Sequence, residues 1–195
     1  KANCSVIGGH SIDDNEPKYG FSVTGVATRN VFLNNSIKDG DKLFLSKPLG
    51  TGVISSAIKK NQANPEIIEE ATKVMVGLND AASEFAHKHN ANAVTDITGF
   101  GLFGHLSEML KNTNLGANII SKNIPVINGA QKLIDDGLFS SGSQRNLDYV
   151  IDSIMNNTEN LNFIKLCCDA QTSGGLLVSV PKDEQVDIEL VKETM

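Results

Sequence analysis

The sequence of 195 residues contains no tryptophan, and aromatic residues make up only 5% of it. Proteins that bind single-stranded nucleic acid stack bases on aromatic rings, and this composition offers few of them. Lysine and arginine number 17 against 23 aspartate and glutamate residues, which gives a formal net charge of −6. Because no stretch gathers the basic residues into a stripe, we expect no nucleic-acid partner.

Cysteine is also scarce, with three residues, of which Cys167 and Cys168 are adjacent. An odd number of thiols makes a poor disulfide framework, and adjacent cysteines lack the Cys-x-x-Cys spacing of zinc sites. No apolar run approaches the roughly 20 residues that cross a bilayer. We therefore expect a cytoplasmic protein with no membrane partner. Because the chain begins at Lys1 and not at methionine, we interpret it as a fragment of a longer protein.

Two widespread catalytic motifs are absent from the sequence. It contains neither a Gly-x-x-x-x-Gly-Lys-Ser/Thr phosphate loop nor a Gly-x-Ser-x-Gly nucleophile elbow. His87 and His89 are two residues apart near the end of a predicted helix, whereas a helical pair of metal ligands needs a spacing of four. Any phosphate binding should therefore depend on backbone N–H groups or on a metal ion.

The remaining composition, 40% hydrophobic and 21% charged, is typical of a globular protein. Hydrophobic patterns predict strands at 19–27, 42–45, 91–94, 117–120 and 176–180. They predict helices at 53–60, 65–87, 102–111, 127–136, 160–167 and 183–193, and an irregular loop at 138–146. From residue 42 onward strands and helices alternate, which predicts an α/β domain with a mixed sheet and packed helices. The segment 34–41 is polar and carries a turn signal at 39–41, which predicts a domain boundary in this segment.

The first of three unusual loops has the sequence Gly-Gly-His-Ser-Ile-Asp at residues 8–13. Paired glycines allow backbone N–H groups to approach an anion closely, and Ser11 adds a hydroxyl donor. His10 can also donate to a phosphate when it is protonated or in the right tautomer. A plain connection after a short strand would explain the same two glycines.

The second loop follows a short strand and reads Thr-Asp-Ile-Thr-Gly-Phe-Gly at residues 95–101. Asp96 stands at the carboxyl end of that strand, where α/β sheets commonly hold ligands. Its carboxylate is a hard oxygen donor suited to Mg²⁺, which takes one or two carboxylates together with substrate phosphates. The alternative is that Asp96 caps the helix that follows. We expect His105, inside that helix, to be a structural residue.

The third loop reads Asp-Ala-Gln-Thr-Ser-Gly-Gly at residues 169–175 and leads into an apolar strand. Its polar residues suit the lining of a ligand cleft. They suit equally well a turn held by side-chain-to-backbone hydrogen bonds, which is the simpler interpretation of this loop alone.

Taken in order, the three loops resemble the signatures of selenophosphate synthetases (selenide, water dikinases), a branch of the aminoimidazole ribonucleotide synthetase-like superfamily. The Lys-Pro-Leu-Gly-Thr-Gly run at 47–52 and the Arg-Asn pair at 145–146 also match that pattern. The resemblance extends over about residues 4–181. It implies an enzyme that converts ATP, selenide and water into selenophosphate, AMP and orthophosphate.

The resemblance also implies a two-domain, homodimeric protein. Residues 1–37 would be the tail of an N-terminal ATP-binding and dimerisation domain, including its last strands. Residues 38–195 would form the C-terminal domain, truncated at its end. Gly9, His10 and Ser11 would contact the ATP phosphates, and Asp96 would bind Mg²⁺.

The sequence departs from the family pattern in three respects. Ala170 replaces a proline, and Ser-Ser-Gly-Ser at 140–143 replaces a Pro-Gly-Gly-Thr-like segment. The family's reactive cysteine or selenocysteine and its neighbouring lysine would lie upstream of Lys1, and Cys4 does not match the reactive position. We therefore assign no catalytic residue and expect the chain alone to be inactive. Another ATP-dependent synthetase of the superfamily, or a binding or dimerisation module, are the alternatives.

Overall fold

The computed structural model describes residues 2–155 and 160–186, in two compact units, Lys1–Val31 and Phe32–Met195. In the first unit the described residues are exposed and form neither helix nor strand. The strand predicted at 19–27 was therefore wrong for this structure. A strand exists only where its backbone hydrogen-bonds to a neighbour, and no described segment forms a ladder with these residues.

The second unit contains three strands and seven α-helices among its described residues, together with two 3₁₀ turns at Ser121–Asn123 and Ile151–Ser153. The strands are β1 (Lys42–Leu45), β2 (Ala93–Asp96) and β3 (Leu176–Val180). The helices are α1 (Thr51–Lys59), α2 (Pro65–Val76), α3 (Asp80–Lys88), α4 (Gly101–Leu110), α5 (Ala130–Asp135), α6 (Ser141–Val150) and α7 (Leu161–Cys167). The predicted α/β fold class is confirmed, but the described strands form an antiparallel sheet and not the mixed sheet that was predicted.

The sheet has β3 at its centre, with β1 and β2 antiparallel on either side. Successive side chains of a strand point to opposite faces, and β3 is apolar on both. Leu177 packs into the main core, which includes Val53 of α1 and Leu102 of α4. Val178 packs on the other face against Phe85 of α3. The sheet therefore lies between α3 and the remaining helices.

The helix predicted over 65–87 is in fact two helices, α2 and α3. It begins as predicted, because Asn64 accepts a hydrogen bond from the Ile67 N–H. It breaks at 77–79, where Gly77 is extended at φ −65° and ψ 134°. The Gly77 carbonyl accepts a hydrogen bond from the Lys47 ammonium at 2.7 Å, and the Asn79 amide donates to Gly174 O at 3.0 Å. The Lys47 ammonium thus gives the Gly77 carbonyl a donor in place of the one that an unbroken helix would supply, and Asn79 ties the break to Gly174.

Three further predictions differ from the structure. Residues 117–120 form no strand, and in this region only a single parallel bridge joins Leu49 to Val126. Most of the loop predicted at 138–146 is helix α6, which Ser140 caps by accepting from the Ser143 N–H. In the helix predicted at 183–193, residues 183–186 are not helical, and the rest lies outside the described residues.

No helix in residues 2–155 and 160–186 is long and apolar enough to cross a membrane.

Candidate functional site

Asp96 lies at the end of β2, exposed to solvent. Its carboxylate makes no hydrogen bond or ion pair within the described part of the chain. Segment 32–34 runs beside β2, since the Val94 N–H donates to Leu33 O at 3.1 Å. An open groove beside Asp96 is lined by Phe32, Leu33, Asn34, Val94, Thr95 and Asp96. The carboxylate of Asp96, the predicted metal ligand, is therefore accessible to solvent.

The loop after Asp96 is fixed by the helix that follows it. The Thr98 N–H donates to His105 Nε2 at 3.1 Å, so this nitrogen carries no proton. Burial lowers the pKa of His105, although the charges of Asp96 and Glu108 oppose that effect. The neutral imidazole of His105 therefore holds the loop in place by accepting this hydrogen bond. Asp96 does not cap the helix that follows, because α4 begins after Phe100 and no side chain caps its N-terminus.

Asn146 of α6 joins this loop to the third loop. Its side-chain amide donates to Gly99 O at 2.9 Å and to Cys168 O at 3.0 Å. Close packing supports the same junction, because Gly101 has φ +69° and a Cβ there would lie 2.7 Å from the carbonyl carbon of Cys168. The sequence indicated the Arg-Asn pair only through family resemblance, and the structural role of Asn146 was missed.

Asp169 opens the third loop and is only 1% exposed. Its carboxylate accepts from the Val53 N–H at 2.8 Å, the Ser143 hydroxyl at 3.0 Å and the Gln171 amide at 3.0 Å. Burial raises the pKa of Asp169 to about 6, against the opposing effect of these donors. Asp169 thereby connects the start of α1 with α6.

Gln171 completes this connection. Its Oε1 accepts from the Gly50 N–H at 3.0 Å, the Thr51 N–H at 3.2 Å and the Thr51 hydroxyl at 3.1 Å. Its Nε2 donates to the Asp169 carbonyl at 2.8 Å. The side chain thus serves as the N-terminal cap of α1, a helix with no cap from its own Gly50. The third loop thus contains side-chain-to-backbone hydrogen bonds, as the second of its two interpretations predicted.

Two glycines allow backbones to cross at this junction. A Cβ on Gly52 would lie 2.0 Å from Ala170 O, and one on Gly174 would lie 2.0 Å from Ile97 O. Real Cβ atoms do not approach so closely, so these glycines of the 47–52 and 169–175 motifs are required for packing.

Lys47 is 8% exposed, and its ammonium donates to Gly77 O at 2.7 Å and to Ser173 O at 3.0 Å. Burial lowers the pKa of Lys47. The lysine thus ties the third loop to the break between α2 and α3, a role that sequence reasoning did not assign.

The predicted phosphate-contacting residues Gly9, His10 and Ser11 lie exposed in the first unit, whereas Asp96 lies in the second. In residues 2–155 and 160–186, no group of three histidine, cysteine, aspartate or glutamate side chains could hold a metal.

Burial raises the pKa of Cys168 to about 12. Its thiol is therefore a poor nucleophile at neutral pH.

The chain is similar in sequence to proteins named selenide, water dikinase. The chain is 41% identical over 191 residues to the selenide, water dikinase of Clostridioides difficile, covering 96% of this chain and 54% of that protein. It is 41% identical over 196 residues to the selenide, water dikinase of Haemophilus influenzae, covering 100% of this chain and 56% of that protein. The chain thus spans slightly more than half the length of these relatives.

Solved structures with the same fold include two thiamine-monophosphate kinases. The enzyme from Aquifex aeolicus matches with a TM-score of 0.50 and 14% identity, over 80% of this chain and 46% of that one. The enzyme from Stenotrophomonas maltophilia matches with a TM-score of 0.52 and 12% identity, over 83% of this chain and 46% of that one. At this identity the likeness concerns the fold alone.

The match to a family model fixes the membership of the chain. Residues 38–193 match the model described as AIR synthase related protein, C-terminal domain. This region contains β1 to β3, α1 to α7, Asp96 and the Asp169–Gln171 junction. The chain therefore belongs to the AIR synthase related protein family, and its residues 38–193 constitute that family's C-terminal domain.

Proposed function

We propose that the protein containing this chain is an ATP-dependent phosphotransferase that converts selenide, ATP and water into selenophosphate, AMP and orthophosphate. The observation that carries this proposal is the 40–42% identity to proteins named selenide, water dikinase over nearly the whole chain. The thiamine-monophosphate kinases share 12–14% identity, so they favour no competing substrate.

In this proposal Asp96 holds Mg²⁺. Of the residues that line the groove beside it, Asp96 has the only carboxylate, a hard oxygen donor of the kind that Mg²⁺ takes together with substrate phosphates. Bound Mg²⁺ would neutralise negative charge on phosphate oxygens. Gly9, His10 and Ser11 would bind those phosphates through backbone N–H groups and their polar side chains.

We further propose that residues 1–37 are the tail of an ATP-binding, dimerising domain and that residues 38–195 form the second domain. Support comes from the large apolar side chains exposed in the first unit. Ile7 is 96% exposed, Tyr19 88% and Val26 90%. Soluble monomers rarely leave such side chains grouped in solvent, so a covering surface from the rest of that domain is expected.

A chimera tests the activity. In it, this chain replaces the matched region of the C. difficile relative, and the products are followed by ³¹P NMR. We expect AMP and selenophosphate to form only when selenide is present. ATP consumption without selenide, or phosphorylation of thiamine monophosphate, would contradict the proposed reaction. The 195-residue chain alone should consume no ATP, since it spans 54–56% of its relatives' length.

The metal role is tested by Asp96→Asn in the same chimera. Turnover should fall at least about 100-fold, because the neutral amide holds a divalent cation far less strongly than a carboxylate. The control is Asp183→Asn, another exposed aspartate, which should stay within about twofold of the unaltered chimera. Thermal unfolding of both variants should match the parent. Retained turnover in a folded Asp96→Asn variant would count against the metal role.

A further inference from the structure

Asn146 belongs to a helix whose position is fixed independently of it. Ser143, three positions earlier on α6, is fully buried, and its hydroxyl donates to the Asp169 carboxylate at 3.0 Å and accepts from the Ala170 N–H at 3.1 Å. The Ser143 N–H donates to the hydroxyl of Ser140, which caps the helix. Residues three apart on a helix share a face. Asn146 therefore extends from a helix that is already anchored to the third loop.

The side-chain amide of Asn146 uses both of its protons. It donates to Gly99 O at 2.9 Å and to Cys168 O at 3.0 Å. An asparagine amide has two N–H donors, whereas an aspartate has none and a serine has one. A single NH₂ group thus links the 95–101 loop to the residue that directly precedes the third loop.

Gly99 depends on this link more than its neighbours do. The two residues before it have other anchors, since the Ile97 N–H donates to Gly175 O at 2.8 Å and the Thr98 N–H donates to a histidine of α4 at 3.1 Å. A Cβ placed on Gly99 would meet no atom within 4 Å, so side-chain packing does not hold this residue. The hydrogen bond from Asn146 therefore adds the anchor that comes from outside the sheet and α4.

The course of this loop bears on the direction of the Asp96 carboxylate. That carboxylate is exposed and makes no hydrogen bond within the described part of the chain, so its direction follows from the backbone. On the N-terminal side the backbone is fixed by β2, where Asp96 pairs with Leu176. On the other side it is fixed by the anchors that end at Gly99. A misplacement of about 1 Å at a reacting centre can cost about 100-fold in rate.

We infer that Asn146 is a positioning residue for the proposed reaction, because it holds Gly99 and so fixes the chain that leaves Asp96. The inference rests on the proposed role of Asp96 and adds a residue from a different helix. Asn146 itself contacts neither substrate nor metal in this arrangement.

Hydrogen exchange of the ¹⁵N-labelled chain, followed by NMR, tests the anchor without reference to activity. Asn146→Ala should speed exchange at the Thr98 and Gly101 amides about five- to tenfold, the range expected for losing about one hydrogen bond. Asn162→Ala is the matched control, because Asn162 is also half-buried and its amide donates to Asp135 at 2.9 Å, between α7 and α5. It should change exchange at those two amides by less than about twofold.

The chimera tests the effect on the reaction. Asn146→Ala should lower kcat about tenfold and raise the Mg²⁺ concentration that gives half-maximal turnover. Asn146→Asp has the same shape but no donor, and it places negative charge beside two carbonyl oxygens, so its turnover should fall further. Asn162→Ala should keep the parent's kcat and Mg²⁺ dependence. A merely structural asparagine would lower the unfolding temperature without changing the Mg²⁺ dependence.

The outcomes separate the inference from the proposed function. If Asp96→Asn is inactive and Asn146→Ala keeps the parent's kcat and Mg²⁺ dependence, the positioning role is wrong and the proposed function stands. If a folded Asp96→Asn variant retains turnover, the role of Asp96 and the inference built on it both fail. Exchange that is faster in both Asn146→Ala and Asn162→Ala, or in neither, would refute the anchor at Gly99.

Discussion

Replacing Gln171 with alanine should destabilise the protein far more than the size of the removed side chain suggests. The side chain is 5% exposed and accepts three hydrogen bonds from Gly50 and Thr51 while donating to Asp169. The truncation leaves two backbone N–H groups and one hydroxyl without their acceptor. A buried polar group left unpaired costs about 1–3 kcal/mol, and loss of a helix cap alone costs about 1 kcal/mol. Because water can enter part of the space, we expect a total loss of about 3–4 kcal/mol.

Urea unfolding followed by circular dichroism measures this loss as a change in the free energy of unfolding. Gln144→Ala is the control, because Gln144 is an exposed helical glutamine whose side-chain amide donates to Asp148 at 2.7 Å on the helix surface. Its cost should stay within about 0.5 kcal/mol. If Gln171→Ala costs no more than Gln144→Ala, the capping of α1 by the third loop contributes nothing to stability, and the interpretation of this loop fails.

A charge variant sharpens the same test. Gln171→Glu retains an acceptor for Gly50 and Thr51 but replaces the amide that stands 3.0 Å from the Asp169 carboxylate. Two carboxylates would then face each other in a buried site, where one of them must take up a proton. The destabilisation caused by Gln171→Glu should therefore grow between pH 5 and pH 8, whereas that of Gln171→Ala should change less.

Two further stability predictions concern the same junction. Gly52→Ala places a Cβ 2.0 Å from Ala170 O, and we expect urea unfolding to show a loss of about 3 kcal/mol or more; a loss below 1 kcal/mol would contradict the need for glycine at this crossing. The folded-state pKa of Asp169, about 6, is above the ordinary 3.8, so the folded state binds more protons between these values. The contribution of Asp169 to stability is therefore fully present below pH 3.8 and falls by about 3 kcal/mol as pH rises through 6. Asp169→Asn should remove this slope between pH 4 and 7, and an unchanged slope would refute the assignment.

Local signals predicted those parts of the fold that depend on neighbouring residues. Asn64 and Pro65 mark the start of α2 because a cap acts within one helical turn. Asp96 was recognised at the end of β2 because a polar residue follows an apolar strand. Both predictions use information from fewer than ten consecutive positions.

Contacts between distant residues explain the errors. The break between α2 and α3 depends on Lys47, 30 positions before Gly77, and on Gly174, 95 positions after Asn79. Periodicity of apolar residues carries no information about such partners. For the same reason the sequence did not predict that Gln171 caps α1, 120 positions away from Thr51. Tertiary hydrogen bonds here override the local preference of the chain.

The position of β3 has a consequence for synthesis of the protein on the ribosome. β3 pairs with both β1 and β2, yet among the strands of the described residues it comes last in chain order, ending at Val180. Leu45 of β1 pairs with Leu177 of β3, so this pair cannot form before Leu177 has been synthesised. The sheet therefore cannot form until Val180 has been synthesised, and pairing over such a sequence distance favours slow folding. Until then the growing polypeptide exposes the apolar edges of β1 and β2, which makes this interval the one in which a chaperone is most useful.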